Sequence, residues 1–253
     1  MARDIPEVET RKEFVAGVEE EEKITRKGNK IARPYARLMP LPGEYEFTAD
    51  TGRKLLRRIE WCARVSHGSE DATAPGSFDR FLRSVVLQHG DWSVVEHASV
   101  SVDFLVDRGV SHELVRHRLF SYTQSSTRFI NYAKKIPPTF VGPFDISNDS
   151  QEYAVWDRAI HEAESSYKQL IALGIAPQLA RSVFPTCLST RIIVTGNLRS
   201  WRWFLLARTS KACHPQMLDV TIPLLKEFQE KIPILFEDIE AGQAQSEAFK
   251  KPH

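Results

Sequence analysis

The stretch ASVSVDFLV, residues 98–106, alternates apolar and polar side chains over most of its length. Successive side chains of an extended chain point to opposite sides, so this period of two predicts a strand with one face in a core. The apolar side consists of Val100, Val102, Phe104 and Val106. A second β-branched run at residues 191–195 ends at Gly196 and Asn197, which predicts another strand that leads into a helix capped by Asn197.

Outward from these strands, apolar residues recur at helical spacing. The predicted helices cover residues 53–65, 81–88, 110–116, 151–172, 176–183, 198–210 and 216–230. Pro223 predicts a kink in the last of them. In the helix over residues 198–210, one face is shared by Trp201, Phe204, Leu205 and Arg208. Because helices and strands mix without a regular βαβ alternation, the sequence predicts the α+β class.

The composition bounds the kind of protein. Lys and Arg number 34 against 33 Asp and Glu, a net charge of +1, which argues against a surface built for nucleic acid and leaves room for a local anion site. Cys62, Cys187 and Cys213 are odd in number and far apart, which indicates a reducing, cytoplasmic setting. No apolar signal core and no stretch of roughly 18 apolar residues occurs, so neither secretion nor membrane insertion is predicted.

Three segments are predicted along the chain: an arm of residues 1–45, a main domain of residues 46–240 and a tail of residues 241–253. The arm carries an acidic run at residues 19–22, a basic stretch at residues 23–30 and several prolines, a pattern typical of extended chain outside a core. Contact between the basic stretch and nucleic acid is the alternative to a solvated arm.

The densest functional signal is RHRLFSYTQSSTR, residues 116–128, in a predicted loop. It places three arginines and one histidine among six hydroxyl side chains. Guanidinium groups bind phosphate through two parallel hydrogen bonds, and hydroxyl groups complete the acceptor shell, so the composition fits a nucleotide phosphate or pyrophosphate. A solvated basic loop explains the composition equally well, because most surface arginines are unpaired.

The spacing Arg116-His117-Arg118-x-x-Ser121-x-x-x-x-Ser126-x-Arg128 resembles the signature of the flavin-dependent thymidylate synthases. HGDWSVVEH at residues 89–97 resembles an upstream motif of that family, and residues 180–208 resemble its downstream part. The resemblance covers roughly residues 55 to 236. It implies α+β subunits with helices around a central, largely antiparallel sheet, assembled as a homotetramer whose active sites lie between subunits.

The resemblance also implies a role for individual residues. The FAD contacts carried over by position are Ser66, Ser93, Arg116, His117, Arg118, Gln124, Asn197 and Arg199. The nucleotide contacts are Glu113, Arg116, Gln124, Ser126, Arg128, Arg181 and Arg208, with Ser126, Arg128 and Arg181 at the phosphate. Arg208 is the predicted catalytic residue, because a fixed cation beside N3 and O2 of the pyrimidine stabilises negative charge as C5 becomes nucleophilic.

The implied reaction is C5 methylation of dUMP to dTMP, with methylenetetrahydrofolate as carbon donor and NADPH-reduced FAD as hydride source. No Gly-x-Gly-x-x-Gly or P-loop spacing occurs, so side chains are expected to hold the phosphates. Neither a His-Glu-x-x-His nor a His-x-x-Glu-His spacing occurs, and no metal is predicted. A cysteine nucleophile at Cys187 or Cys213 is the less favoured alternative, since the family needs none.

Several positions depart from the family pattern, which leaves the sugar pocket open to question. They are Asp91, Glu113, Thr123, Gln124, Trp203 and the Cys213-His214 pair. A relative that methylates UMP instead of dUMP is therefore the second enzyme hypothesis, because one hydroxyl group can be accommodated by the loss of a single clash. A protein that binds a nucleotide or RNA without turnover is the hypothesis from another class.

Overall fold

The computed structural model describes residues 23–134 and 136–242. Their elements, in chain order, are β1 (Lys23–Ile24), β2 (Lys30–Ala32), β3 (Tyr35–Leu38), α1 (Ala49–Val65), α2 (Ser77–Leu82), β4 (Ser99–Asp107), α3 (Arg108–Leu114), β5 (Ser121–Gln124), β6 (Thr139–Val141), α4 (Gln151–Ala172), α5 (Pro177–Ala180), β7 (Ser189–Asn197), α6 (Leu198–Arg208) and α7 (Pro215–Lys231). A π-helical stretch, Arg83–Gln88, extends α2, and short 3₁₀ helices form at Glu70–Ala72, Trp92–His97 and Arg181–Val183.

A four-stranded antiparallel sheet in the order β3-β4-β7-β5 forms the centre of the molecule. β4 and β7 pair along their full length, from Ser99 opposite Asn197 to Asp107 opposite Ser189. The apolar side chains of β4 are buried in a core with α1, α6 and α7, as their alternation predicts. The α+β class and the largely antiparallel central sheet are therefore confirmed, and the homotetramer stays a prediction.

The opposite face of this sheet carries a buried carboxylate. Asp103 of β4 is 1% exposed, and Arg191 of β7 donates to both of its oxygens at 2.8 Å. Arg37 of β3 adds a third hydrogen bond from its Nη2 atom at 3.1 Å. Because the two arginines come from the strands on either side, one carboxylate ties three strands together.

A second, smaller core lies outside the central sheet. It is bordered by α4, α5 and the sheet β1-β2-β6, in which β2 and β6 run parallel. Its buried residues are Tyr132, Phe140, Ile160, Tyr167, Ala180 and Leu188. Backbone hydrogen bonding between Val141 and Cys187, at 2.9 Å, connects this unit to the chain that enters β7.

Two sequence-based expectations were wrong. The segment predicted to be a loop at residues 116–128 contains β5, whose pairing with β7 was not visible in a four-residue strand of polar and hydroxyl side chains. The arm predicted to lie outside the core contains β3, which pairs with β4 and buries Leu38. Residues 1–22 and 243–253, which include about half of the arm and most of the tail, lie outside the described residues.

The helix predictions agree closely with the structure. α4 covers residues 151–172, as expected, and Gly174 follows it with a φ of 88°. The predicted kink at Pro223 inside α7 stays a prediction. Within residues 23–134 and 136–242, no helix is both long enough and apolar enough to cross a membrane.

Candidate active site

A cavity of about 670 Å³ opens where α6 begins, beside the chain that leaves α3 and the 3₁₀ helix Trp92–His97. Its wall is formed by Trp92, Glu96, Arg116, His117, Arg118, Leu119, Phe120, Asn197, Arg199, Ser200, Arg202, Trp203 and Leu206. The wall combines cationic and large apolar side chains. Such a wall suits a ligand that combines a charged group with a flat apolar ring.

The junction between β7 and α6 positions one side of the cavity. Asn197 ends the strand in an extended conformation, and its Oδ1 atom accepts a hydrogen bond from the backbone N–H of Ser200 at 2.8 Å, which confirms the predicted N-cap. One residue earlier, Gly196 lies directly under the ring of Phe120. A Cβ atom at Gly196 would approach the Phe120 Cδ1 atom to 2.4 Å, so only glycine allows this ring to form the wall.

The turn from α3 into β5 shapes the opposite side. Leu119 adopts a φ of 69°, in the left-handed region that non-glycine residues avoid, and its side chain is 85% exposed. The hydroxyl group of Tyr122 lies within hydrogen-bond distance of the carbonyl oxygens of Leu114 and His117, which share its one proton, and this contact holds the turn closed. Arg116 and Arg118, on either side of His117, remain exposed in the cavity wall.

Two arginines of the cavity wall, Arg199 and Arg202, are paired within the chain. Arg199 Nη1 lies 2.7 Å from Glu96 Oε1. Arg202 bonds to both carboxylate oxygens of Asp238 at 2.7 Å, and its guanidinium group stacks 4.5 Å from the ring centre of Trp92. Two buried donors of this wall, Trp92 Nε1 and Arg202 Nε, have no hydrogen-bond partner in the described part of the chain.

Arg208 lies behind His117 and is fixed by two hydrogen bonds. Its Nε atom donates to His117 Nε2 at 2.7 Å, and its Nη1 atom donates to Glu113 Oε2 at 2.7 Å. Burial, and next the positive charge of Arg208, lower the pKa of His117 to about 4. His117 is therefore neutral near pH 7 and acts as an acceptor toward Arg208, while the same imidazole forms part of the cavity wall.

Arg128, the last basic residue of the signature, and Arg181 lie beyond the other end of β5. Arg181 Nη1 donates to Thr127 Oγ1 at 2.9 Å, and the backbone N–H of Arg128 donates to Ser126 Oγ at 3.3 Å. Five residue steps separate Phe120 from Ser125, which is about 16 Å in an extended strand. Within one chain, the residues of the signature therefore lie in two places, one at each end of β5.

The structure thus sorts the predicted site residues into groups. Those that line the cavity are Arg116, His117, Arg118, Asn197 and Arg199, and Arg208 and Glu113 adjoin it through His117. Ser126, Arg128 and Arg181 form the group at the far end of β5.

Three predicted FAD contacts lie outside the cavity wall that the described residues form. Ser66 follows α1 and its hydroxyl group lies 2.8 Å from the carbonyl oxygen of Ala63. Ser93 is exposed, next to Trp92. Gln124 Nε2 donates to the hydroxyl groups of Ser111 and Thr190 at 3.0 and 3.1 Å.

Sequence reasoning gave no role to much of the cavity wall. On α6, Trp203 and Leu206 were given no role. They follow Arg199, a predicted FAD contact, at spacings of four and three residues, so the helical period that predicts the core face also predicts this second face. Glu96 and Trp92 were part of a quoted motif without an assigned role. Leu119 carried no sequence signal, because a left-handed leucine is visible only in the backbone.

Neither the cysteines nor the metal-ligating side chains of the described residues indicate a second reactive site. Burial raises the pKa of the Cys187 thiol to about 11, which makes it a poor nucleophile. All three cysteines are free. No cluster of three or more metal-ligating His, Cys, Asp or Glu side chains occurs among residues 23–134 and 136–242.

Comparison with known proteins places this geometry in context. A family model described as thymidylate synthase complementing protein matches residues 50–234. The flavin-dependent thymidylate synthase of Pyrococcus furiosus is 32% identical over 188 residues, which cover 71% of this chain and 76% of that protein. The namesakes from Corynebacterium aurimucosum and Mycobacterium sp. (strain JLS) are 33% identical over 200 residues and 32% identical over 218 residues. They cover 71% and 78% of this chain, and 78% and 83% of their own lengths.

Proposed function

The chain belongs to the thymidylate synthase complementing protein family, and from that membership we propose that it is a flavin-dependent thymidylate synthase. The proposed reaction is reductive C5 methylation of dUMP to dTMP. Methylenetetrahydrofolate is the carbon donor and NADPH is the reductant of FAD. This places the enzyme among the methyltransferases.

The observation that carries the proposal is the meeting of Arg116, His117, Arg118, Asn197 and Arg199 in one cavity wall. FAD contains a pyrophosphate and many hydrogen-bond acceptors, and the cavity supplies guanidinium and amide donors. The two unpartnered donors, Trp92 Nε1 and Arg202 Nε, also favour an acceptor-rich ligand, because a buried donor without a partner costs about 1–3 kcal/mol. The residues present therefore fit FAD.

Bound FAD supplies the hydride of the reaction, and the protein supplies position and charge. Arg208 would hold the pyrimidine edge, because His117 and Glu113 fix its guanidinium group at 2.7 Å from each. A positive charge held still before the substrate arrives stabilises developing negative charge without reorganisation. The nucleotide phosphate would bind to Ser126, Arg128 and Arg181.

The split of the signature along β5 supports a homotetramer with active sites between subunits. Within one chain, the cavity lies at the Ser121 end of β5 and Arg181 lies beyond the Gln124 end. A nucleotide is too short to contact both ends of one subunit at about 16 Å. We propose that Ser126, Arg128 and Arg181 of one subunit face the cavity of another, and that Ser66, Ser93 and Gln124 contribute in the same way.

The proposal is tested by incubating the purified protein without oxygen, with FAD, NADPH and methylenetetrahydrofolate. Parallel reactions contain dUMP or UMP, and the products are identified by mass spectrometry. Methylation of dUMP is the expected result. No contact among the described residues favours UMP. Methylation of UMP alone would nevertheless show that UMP is the substrate in place of dUMP.

A binding protein without turnover gives a different outcome. In that case neither nucleotide is methylated, although the protein retains FAD or the nucleotide through gel filtration. A colourless protein that binds RNA and no flavin would also contradict the proposal. The visible spectrum of the purified protein separates these cases before any assay.

A further inference from the structure

Arg108 is a partly buried cation that no carboxylate of the described chain neutralises. It is the first residue of α3, and its backbone N–H donates to the carbonyl oxygen of Thr186 at 2.9 Å. Its Nη2 atom donates to the carbonyl oxygen of Ser125 at 3.1 Å. Arg108 forms no ion pair within residues 23–134 and 136–242, and its Nε atom is buried without a hydrogen-bond partner. Such a guanidinium group requires an explanation, because burial of a charge without an opposite charge costs free energy.

The contact between Arg108 and Ser125 lies where β5 passes into the group proposed to bind the nucleotide phosphate. Ser125 is the residue after β5 and directly precedes Ser126. Its backbone N–H donates to the carbonyl oxygen of Arg191 at 2.9 Å, so with Arg108 both of its backbone polar groups are bound. The direction in which the chain leaves β5 toward Ser126 and Arg128 is therefore fixed at this one residue.

Further contacts hold the segment from Ser125 to Tyr132. Arg181 Nη1 donates to Thr127 Oγ1 at 2.9 Å, and Thr127 is 5% exposed. The side chain of Tyr132 is buried close to Arg108. Burial raises the pKa of the Tyr132 hydroxyl group, while the charge of Arg108 and a hydrogen bond with its side chain act in the opposite direction. The Arg108 guanidinium group thus connects the beginning of the segment with its end.

Differences in exposure distinguish Arg108 from the two arginines of the phosphate group. Arg128 and Arg181 are exposed, whereas Arg108 is partly buried and its Nη2 atom is occupied by a backbone carbonyl oxygen. A phosphate that arrives from solvent therefore meets Arg128 and Arg181, and Arg108 acts through the backbone of Ser125. Because its charge is not compensated within the chain, Arg108 also favours an anion at the neighbouring Ser126.

We propose that Arg108 is a positioning residue for the nucleotide phosphate. It holds the carbonyl group of Ser125, and thereby sets the orientation of Ser126 and Arg128 toward the phosphate. The inference rests on the proposed function and adds to it a residue outside the signature. Arg108 makes no direct contact with the nucleotide, so its loss affects the binding of the phosphate and not the chemistry at the base.

The test measures binding of dUMP, and of deoxyuridine, which lacks the phosphate, to the full chain saturated with FAD. Arg108→Gln should weaken dUMP binding by about 10- to 100-fold, because a charged hydrogen bond that orients the phosphate group is lost. Deoxyuridine should bind to Arg108→Gln as it does to the wild type. In steady-state assays the KM for dUMP should rise by a similar factor, while kcat at saturating dUMP should not change.

Two further variants separate positioning from a general loss of stability. Arg83→Gln is the matched control, because the Arg83 guanidinium group also bonds within the chain, to Asp79 and Glu237, but lies outside the cavity wall and the phosphate group. It should bind dUMP like the wild type. Arg108→Lys keeps the charge and a donor but not the planar fork, so it should lose about 2- to 5-fold in dUMP affinity and none in deoxyuridine affinity. This variant decides the question if Arg108→Gln does not fold.

A double variant tests whether Arg108 acts through its neighbours. Arg108→Gln combined with Arg128→Gln should lose less dUMP affinity than the two single variants predict together, because Arg108 acts through the segment that carries Arg128. Additive losses would make Arg108 an independent phosphate contact and would contradict a positioning role.

Two other results would overturn the inference. In the first, Arg108→Gln binds dUMP as the wild type does, or Arg108→Lys does so where Arg108→Gln is unfolded. In the second, the affinities for dUMP and deoxyuridine fall equally, which assigns Arg108 to the fold of the whole nucleotide site. A wild-type protein that binds neither dUMP nor deoxyuridine contradicts the proposed function itself, and is thereby distinguished from these results.

Discussion

At the Ser121 end of β5 three arginines are already paired with carboxylates, whereas Arg128 and Arg181 beyond the Gln124 end are not. Arg199, Arg202 and Arg208 each bond to a carboxylate within the chain. Among the described residues, Arg181 bonds only to the hydroxyl group of Thr127, and Arg128 forms no ion pair. The first three arginines are therefore preorganised by contacts within the chain, while Arg128 and Arg181 keep their positive charge for an anion from outside.

The largest effect is expected when the cation of Arg208, near the Ser121 end of β5, is removed. Arg208→Gln should lower the rate of dTMP formation by about 100- to 1,000-fold, because one preorganised donor to developing charge is lost. Single-turnover assays with saturating FAD measure this rate. Arg57→Gln, which changes an exposed arginine on α1, is the control. An unchanged rate in Arg208→Gln would remove Arg208 from catalysis.

The next largest effects distinguish the roles of the two ends of β5. Arg181→Ala should raise the KM for dUMP by about 10- to 100-fold, since charged hydrogen bonds are worth about 1.5–3 kcal/mol, with FAD affinity unchanged. Arg199→Ala should instead weaken FAD and leave the nucleotide KM nearly unaltered. Steady-state kinetics and FAD titrations of both variants are needed. If both variants lose FAD affinity equally, the division into two regions is wrong.

A smaller effect, on stability, is expected from a substitution that displaces a side chain of the cavity wall. Gly196→Ala should lower the free energy of unfolding by about 1–3 kcal/mol, because the new Cβ atom forces the Phe120 ring to move. Gly142→Ala is the matched control, since its Cβ atom would lie 3.8 Å from Ile31 Cγ2, an ordinary contact. Urea unfolding compares the two. Equal stability of both variants would show that the Phe120 ring yields without cost.

The smallest effect depends on pH. The pKa of His117 is about 4 in the folded protein against 6.5 ordinarily, so between these values the unfolded chain binds a proton that the folded protein does not. The free energy of unfolding should therefore fall as the pH drops through this window. The free energy of unfolding of His117→Gln should fall less between about pH 7 and about pH 5. Urea unfolding measures this, with exposed His161→Gln on α4 as control. Equal losses of unfolding free energy in the wild type and in His117→Gln would contradict the lowered pKa of His117.

The sequence predicts the central elements because their signals are local. The alternation of β4 and the cap at Asn197 depend on a few neighbouring side chains, and both are confirmed. β5 escapes prediction because its strand state comes from pairing with β7, about 70 residues away in the chain. The motif Arg116–Arg128 predicts a phosphate site from its residue types, and that assignment stays a prediction. It could not predict that a strand divides them.

The second face of α6 was accessible to sequence reasoning, but only Arg199 of this face was predicted as a site residue. Arg199, Trp203 and Leu206 recur at helical spacing, but a helix with an apolar core face draws attention to that face alone. The pairing of Arg208 with Glu113 and His117 was beyond reach, because residues 113 and 208 meet only through the tertiary contact of α3 with α6.

Asp103 has a consequence for how the sheet assembles. If β4 slid by one residue against β7, every side chain would change faces, and this carboxylate would enter the apolar core without an arginine. An unpaired charge in such a place costs several kcal/mol, more than the ion pair gains in the finished sheet. The residue thus contributes more by excluding misaligned strands during folding than by stabilising the correct ones.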